Sequence, residues 1–149
     1  MNVAVAADHG GYELKQHVKR WLAEHGHQVT DFGAHGTDSV DYPDFGFPAA
    51  DAVARGEADA AVLCCTTGIG MSITANKVPG VRAALVFDPE FARTSRTHNN
   101  ANALCLAGKR TDATQADAIL DVWFATGFEG GRHTRRLGKI AARENTGPE

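Results

Sequence analysis

The sequence has few cysteines and no long apolar run. Its 149 residues include three cysteines, an odd number, and contain no CxxC pair. A disulfide framework, a structural zinc site and a thioredoxin-like site are therefore not expected, and a reducing compartment fits best. The chain also lacks a stretch of about 18 apolar residues and a charged-then-apolar leader. These absences predict a cytoplasmic protein without a membrane span or signal peptide.

Positive charge is scarce as well. The chain has 15 Lys and Arg residues against 18 Asp and Glu residues, which gives a formal net charge of -3, and its basic patch at 132–136 is short. This balance does not indicate a nucleic-acid partner. With 43% hydrophobic and 22% charged residues, the composition is that of an ordinary globular protein. Its length suits one domain, which we expect to span 1–149.

Short apolar runs alternate with amphipathic stretches along the whole chain. This pattern predicts a single-domain, Rossmann-like three-layer α/β/α sandwich with a five-stranded parallel sheet. We expect Pro48 in the first turn of the second helix, and a loose tail at 144–149 after a last helix that packs on a partner subunit. The strands are predicted at 3–7, 28–32, 61–65, 81–86 and 103–107, and the helices at 12–25, 45–55, 71–77, 88–98, 111–125 and 132–143.

The stretch 60–77 carries the strongest chemical signal. An apolar strand ends at the adjacent thiols of Cys64 and Cys65, and a glycine-rich turn, TTGIG at 66–70, precedes a helix. Backbone N–H groups left free in such a turn can bind an anion, so the loop is a candidate anion site with a thiol beside it. Because neighbouring strand residues point to opposite faces, at most one of the two thiols faces that site.

Better-known phosphate loops do not fit this turn. No Gly-Lys-Ser/Thr follows the glycines, so a P-loop is excluded, and Ile73 stands where a dinucleotide-binding GxGxxG needs its third glycine. A cysteine phosphatase would need an arginine shortly after the thiol in the same loop, and Met71, Ser72 and Ile73 offer none.

Polar clusters occur at 8–9, 65–70 and 98–99, next to predicted strands. We expect the three to converge at the carboxyl edge of the sheet, where open parallel sheets bind their ligands. Ordinary structural roles remain open for each cluster. Asp8 could cap a helix, Cys65 could be a buried small apolar residue, and the third cluster could end a helix.

Five motifs, taken in order, are characteristic of one family. They are DHGGY at 8–12 with a lysine soon after, DYP at 41–43, CTTGIGMSI at 65–73 followed by ANK at 75–77, HNN at 98–100, and EGGRH at 129–133 with an arginine at 136. Together they resemble the type B ribose-5-phosphate isomerases, in the family that also includes the galactose-6-phosphate isomerase subunits. The resemblance extends from residue 3 to about residue 140.

The resemblance implies an aldose–ketose isomerisation of a sugar phosphate through an enediolate, without metal or other cofactor. The first substrate to expect is ribose 5-phosphate, converted to ribulose 5-phosphate. Cys65 would move the proton between two carbons, His98 would assist ring opening, and Thr67 would relay a proton to the substrate oxygens. The other implied contacts to the substrate come from Asp8, His9, Tyr42, Thr66, Gly68, Ile69, Gly70, Asn99, Lys109, Arg110, Arg132, His133 and Arg136.

Two departures from the family pattern leave the sugar open. Lys109, with Arg110 next to it, stands where relatives usually present a phosphate-binding arginine, and Thr66 stands where a glycine is common. A tetrose, allose or galactose phosphate is therefore an alternative substrate. The family also implies a homodimer or homotetramer with shared active sites. Two further hypotheses are a non-catalytic sugar-phosphate-binding module and a metal-dependent enzyme built from some of the seven histidines, which show no ligand spacing.

Overall fold

The centre of the chain is a parallel sheet, and the computed structural model describes residues 1–147. The strands are β1 (Asn2–Ala7), β2 (Gln28–Asp31), β3 (Ala60–Cys65), β4 (Ala83–Leu85) and β5 (Ala103–Ala107). The helices are α1 (Tyr12–Glu24), α2 (Tyr42–Ala54), α3 (Ile69–Asn76), α4 (Pro89–Thr97), α5 (Ala113–Ala125) and α6 (Arg132–Thr146). The strand order is β2-β1-β3-β5-β4 and all four pairings are parallel, which confirms the predicted fold class.

Side chains of the central strands alternate between two apolar layers. In β3, Val62 and Cys64 face the layer formed with α1, α4 and α5, whereas Leu63 and Cys65 face the layer formed with α2 and α3. All six residues of β3 are buried, as in a parallel strand covered on both faces. The two adjacent thiols therefore lie on opposite faces of the sheet, as strand geometry predicts.

The largest differences from the predicted helix bounds, three residues at one end, occur in two helices. Helix α2 begins at Tyr42 because Asp41 is extended and Pro43 suits a first turn, so the prediction that Pro48 lies in the first turn is wrong. Helix α6 continues to Thr146, since no breaker precedes the glycine at 147, so 144–146 are helical and not a loose tail. Residues 148–149 of that predicted tail lie outside the described residues. No helix within 1–147 combines the length and apolar character needed to cross a membrane.

A buried lysine fixes the segment that leaves β2. Lys15 is fully buried, and its Nζ donates to Asp31 Oδ1 at 2.8 Å and to the Ala34 carbonyl at 2.5 Å. Lys19 Nζ donates to the other carboxylate oxygen of Asp31 at 2.7 Å. Partial burial acts to raise the pKa of Asp31, but these lysine hydrogen bonds outweigh it, and the pKa lies below its ordinary value. The start of the loop at 32–41 is thereby held against α1.

Candidate active site

The loops that follow β1, β3 and β5 meet at the carboxyl edge of the sheet. The backbone N–H of Asp8 donates to the carbonyl of Cys64, and the N–H of Gly108 donates to the carbonyl of Cys65 at 2.8 Å. The approach is close enough that a Cβ on Gly10 would collide with the hydroxyl of Thr66. The first two predicted clusters, at 8–9 and 65–70, therefore lie side by side, as expected from the sheet topology.

Asp8 and His9 line one side of this edge. Asp8 is 5% exposed, and its Oδ1 accepts hydrogen bonds from the N–H groups of Gly10 and Gly11 at 2.9 and 3.0 Å. The structural alternative for Asp8 is thus partly realised, because the carboxylate does hold the start of α1. His9 Nδ1 accepts from the N–H of Val40 at 3.2 Å, so Nε2 carries the proton in the neutral ring and is the nitrogen left to donate.

Tyr42 joins this side to the glycine-rich loop. Asp8, His9 and Tyr42 line a cavity of about 490 Å³ with residues 39–44. The tyrosine ring packs directly over Gly70, where an added Cβ would lie 2.6 Å from its Cζ. A side chain larger than hydrogen at position 70 would therefore displace the ring from the cavity wall.

The turn after β3 presents free backbone donors. Gly68 adopts φ +74°, a conformation that glycine tolerates, and α3 begins at the next residue. The Ile69 N–H donates to Thr67 Oγ1 at 3.3 Å. Within residues 1–147, the N–H groups of Gly68, Gly70 and Met71 donate no hydrogen bond. This set of unpaired N–H groups at a helix N-terminus is suited to an anionic oxygen.

Cys65 ends the strand beside those donors. The residue is 3% exposed and packs in the layer that includes Met71. Cys64 is fully buried on the other face, and burial raises the pKa of its thiol. The same cause raises the pKa of Cys105. Of the three cysteines, only Cys65 combines a place next to the glycine-rich loop with any opening to solvent.

Lys109 and Arg110 also lie at the carboxyl edge. The N–H of Lys109 donates to the carbonyl of Thr66 at 3.0 Å. Both cationic residues line a cavity of about 240 Å³ together with Thr66, Thr67 and Phe87. The structure thus places both cations beside the glycine-rich loop.

His98 and Asn99 do not join this edge, and the expected convergence of three clusters is wrong. His98 follows α4 and therefore precedes β5, so it lies at the amino edge of the parallel sheet. The carbonyl of Asn99 accepts from Arg82 Nε at 3.1 Å, just before β4, which is the same edge. Within residues 1–147, no hydrogen bond, ion pair or ring contact connects either residue to Cys65. The two edges are separated by the length of the strands.

At the amino edge, His98 packs against the start of α6. Its ring stacks on the ring of His133 with centroids 4.2 Å apart, and its Nε2 lies 4.0 Å from Glu129 Oε2. Burial lowers the pKa of His133, and the neighbouring His98, Arg132 and Arg136 lower it further. The residues expected to bind phosphate through α6 are therefore gathered around His98, apart from the thiol.

Glu129 lies beside His98 at the amino edge, although the sequence did not mark it as a site residue. It belongs to the EGGRH motif, and its backbone N–H donates to the Thr97 carbonyl at 3.0 Å, which brings it beside His98. Its position in a motif was a signal, but its proximity to a histidine 31 residues earlier depends on the contact between the loop before α6 and the end of α4.

The fold and its motifs coincide with those of known isomerases. The chain matches the Ribose/Galactose Isomerase family over residues 3–140. The chain belongs to this family. It is 39% identical over 142 residues to the ribose-5-phosphate isomerase B of Escherichia coli, with 95% of each chain covered. The family resemblance expected from the motifs is thereby confirmed.

Solved structures of the family have the same fold. The ribose-5-phosphate isomerase B of Clostridium thermocellum superposes with a TM-score of 0.96 at 48% identity, covering 97% of this chain and 98% of that one. The enzyme of Mycoplasma genitalium, solved with bound ribulose-5-phosphate, superposes with a TM-score of 0.93 at 39% identity, covering 98% and 97%. This chain is accordingly an enzyme of the family, a sugar-phosphate isomerase that interconverts aldose and ketose.

Proposed function

We propose that the enzyme interconverts ribose 5-phosphate and ribulose 5-phosphate, with Cys65 as the base. The observation that carries the proposal is the position of this thiol, at the end of β3 and beside the unpaired N–H groups of Gly68 and Gly70. The Mycoplasma genitalium relative with bound ribulose-5-phosphate supports this choice of sugar. The enzyme would act in the cytoplasm, where its three unpaired cysteines would stay reduced.

The proposed proton transfer uses groups at this end of β3. The thiolate of Cys65 removes the proton from C2 of the open-chain aldose, and the electron pair moves into an enediolate. The N–H groups of the loop stabilise the negative oxygen, and the Thr67 hydroxyl moves a proton between the two substrate oxygens. Cys65 then returns its proton to C1, which leaves the ketone at C2. No oxidant or cofactor is consumed, because one hydrogen moves from C2 to C1 and another moves from the oxygen on C2 to the oxygen on C1.

The proposal requires the amino-edge residues to come from a second copy of the chain. His98, which is proposed to assist ring opening, and Arg132, His133 and Arg136, which are proposed to bind the phosphate, lie at the opposite edge from Cys65 within one chain. A homodimer that places the amino edge of one subunit against the carboxyl edge of the other completes the site twice. Asn99 would enter the shared site together with these residues.

Other sugar phosphates are the main alternative substrates. The family description names both ribose and galactose, and Lys109 and Thr66 both line the cavity next to the loop. A lysine neutralises a phosphate without the planar fork of an arginine, so it fixes the phosphate position less strictly. Isomer-resolved NMR with tetrose, pentose and hexose phosphates would rank them, and we expect ribose 5-phosphate to give the highest kcat/KM.

Replacing the proposed base is the decisive test. Cys65→Ala is expected to lower kcat by about a hundredfold to ten-thousandfold, because general-base catalysis is lost while binding residues remain. Cys64→Ala is the matched control, since that thiol lies on the other face of β3 and should leave kcat unchanged. Circular dichroism checks that both variants fold. Wild-type turnover in Cys65→Ala would refute the assignment, and ligand binding without deuterium exchange at C2 in wild-type would favour a binding module.

A further inference from the structure

The amino edge holds a group of metal-binding side chains that the proposed reaction does not explain. His98, Glu129 and His133 each offer one donor atom, and the three atoms lie within 4.8 Å of one another. Two imidazoles and one carboxylate form the donor set of open zinc sites, in which water or an added ligand fills the fourth position. We infer that these three side chains bind a divalent transition metal ion of the zinc type.

His133 is the fixed member of this site. Its side chain is 4% exposed, and its Nε2 is buried without a hydrogen-bond partner within residues 1–147. A buried nitrogen without a partner is unfavourable, and coordination of this ring is one way to remove that cost. Burial also lowers the pKa of His133, so the ring keeps its neutral form, in which a lone pair is available to a metal.

His98 and Glu129 can adjust to the ion. Their side chains are 42% and 62% exposed, and His98 Nε2 lies 4.0 Å from Glu129 Oε2. Donor atoms around a tetrahedral zinc with bonds of about 2.0–2.1 Å are ~3.3 Å apart. Closing the site therefore requires both side chains to move by roughly 1 Å or more. The His98 ring, which stacks on His133 at an interplanar angle of 15°, must also turn so that its Nε2 lone pair points to the ion, which an exposed rotamer permits.

Positive charge around the three side chains is expected to make their affinity for a metal ion weak. Arg132 and Arg136 lie close enough to lower the pKa of His133, and the same positive charge opposes a divalent cation. Glu129 offers the one compensating carboxylate in this donor set. We therefore expect a micromolar site that responds to free metal, and not a permanently loaded one.

The consequence of metal binding is inhibition, and this step rests on the proposed function. A metal ion bound to His98 withdraws the nitrogen that is proposed to open the sugar ring, and it occupies the space beside the phosphate-binding arginines. The ion would compete with the sugar phosphate and would leave when a chelator is added.

Metal binding is measured directly, with Zn²⁺ alone, by isothermal titration of the purified full chain. We expect one Zn²⁺ per chain, and at least about tenfold weaker binding in Glu129→Gln, which loses one ligand and keeps the side-chain shape. Asp121→Asn is the matched control, because Asp121 lies 3.9 Å from His25 in another histidine–carboxylate pair and should leave the affinity unchanged.

Three binding results would overturn the inference. They are the absence of Zn²⁺ binding in wild-type at millimolar concentration, equal affinity in wild-type and Glu129→Gln, and a sulfur-to-metal charge-transfer band when Co²⁺ replaces Zn²⁺, which would indicate cysteine ligands. Because this measurement needs no turnover, its failure is distinguishable from failure of the proposed reaction.

Enzyme kinetics test the inhibition separately. Zn²⁺ should raise the apparent KM for ribose 5-phosphate in wild-type, EDTA should reverse the effect, and Glu129→Gln should need at least about tenfold more metal for the same inhibition. The inhibition of each protein is expressed relative to its own rate without added metal. Equal inhibition of both proteins would show that the metal acts elsewhere and would overturn the link to His98.

Discussion

The two edges of the sheet differ in how their functional groups are held. At the carboxyl edge, backbone hydrogen bonds fix the loops, and Asp8 and Cys65 are 5% and 3% exposed. At the amino edge, His98 at the end of α4 and Glu129 in the loop before α6 have side chains that are 42% and 62% exposed. The comparison indicates that the carboxyl-edge half, which is proposed to transfer the proton, is preformed in one chain. We expect the amino-edge half, which is proposed to open the ring and bind the phosphate, to adjust when a partner or ligand arrives.

The strongest test of this comparison is to separate the two halves into different chains. Cys65→Ala and His98→Asn are each expected to lose at least about 99% of the activity. If the proposed dimer shares its sites, refolding an equal mixture gives hybrids with one intact site, and random pairing restores about one quarter of the wild-type activity. The measurement is turnover of the separate variants and of the refolded mixture.

The control for this mixing experiment places both substitutions at the carboxyl edge. A mixture of Cys65→Ala with Asp8→Asn should show no gain over the separate variants, because each hybrid site then carries a defect in its carboxyl-edge half. If mass spectrometry detects hybrid dimers of Cys65→Ala and His98→Asn but activity does not return, the two halves do not combine across subunits.

A smaller effect is expected on the free energy of unfolding, when one glycine at each edge is replaced to compare the rigidity of the two edges. Gly68 and Gly80 both have positive φ, +74° and +86°. A Cβ at Gly68 would collide with Leu85 and lie 3.1 Å from the Leu106 carbonyl carbon, whereas nothing lies within 4 Å at Gly80. Gly68→Ala should lower the free energy of unfolding by about 2–4 kcal/mol, from backbone strain and overpacking together.

Gly80→Ala is the control and should lower the free energy of unfolding by about 1–2 kcal/mol, from backbone strain alone. Urea unfolding measures both values. Equal losses in the two variants would mean that the carboxyl edge relaxes around the added methyl group, contrary to the rigidity inferred for it.

The smallest expected effect concerns pH at the amino edge. Because burial lowers the pKa of His133, the unfolded chain binds a proton at this residue more readily than the folded chain does. Stability contributed by neutral His133 is therefore present above the unfolded pKa of about 6.5 and decreases as the pH falls below it. His133→Gln should show a smaller drop in Tm than wild-type between about pH 7.5 and about pH 5.5.

His27 remains in that variant. Its pKa is also lowered, by burial first and then by the N-terminal amine and His25, so part of the pH dependence should persist. An identical drop in Tm in wild-type and His133→Gln would show that protonation of His133 is not opposed by the fold.

Most of the fold could be predicted because apolar alternation is local. The fifth strand was predicted at 103–107 and is observed there, and the opposite orientation of Cys64 and Cys65 followed from strand geometry alone. Helix ends were less predictable. Pro48 is predicted in the first turn of α2, but Pro43 occupies that position, because the helix begins three residues earlier than predicted.

The candidate site was predicted in pieces, and its assembly was not. The motif residues around Asp8 and Cys65 are adjacent because both follow neighbouring parallel strands, which the sequence implies. His98 was expected there too, but a residue that precedes a strand lies at the opposite edge from one that follows it. The contacts of Lys15 could not be predicted either. A lysine next to Leu14 in an amphipathic helix is expected at the edge of the apolar face with its amine in solvent, and its burial depends on Asp31 and Ala34.

The sequence by itself determined the elements, the family and the residue types that can move a proton and bind a phosphate, because those depend on local pattern and motif spacing. Only the tertiary structure decided which of those residues meet. The hydrogen bond between the loop before α6 and the end of α4 brings Glu129 to His98 and His133, and the direction of the strands separates all three from Cys65, because distances between segments far apart in sequence depend on the whole fold.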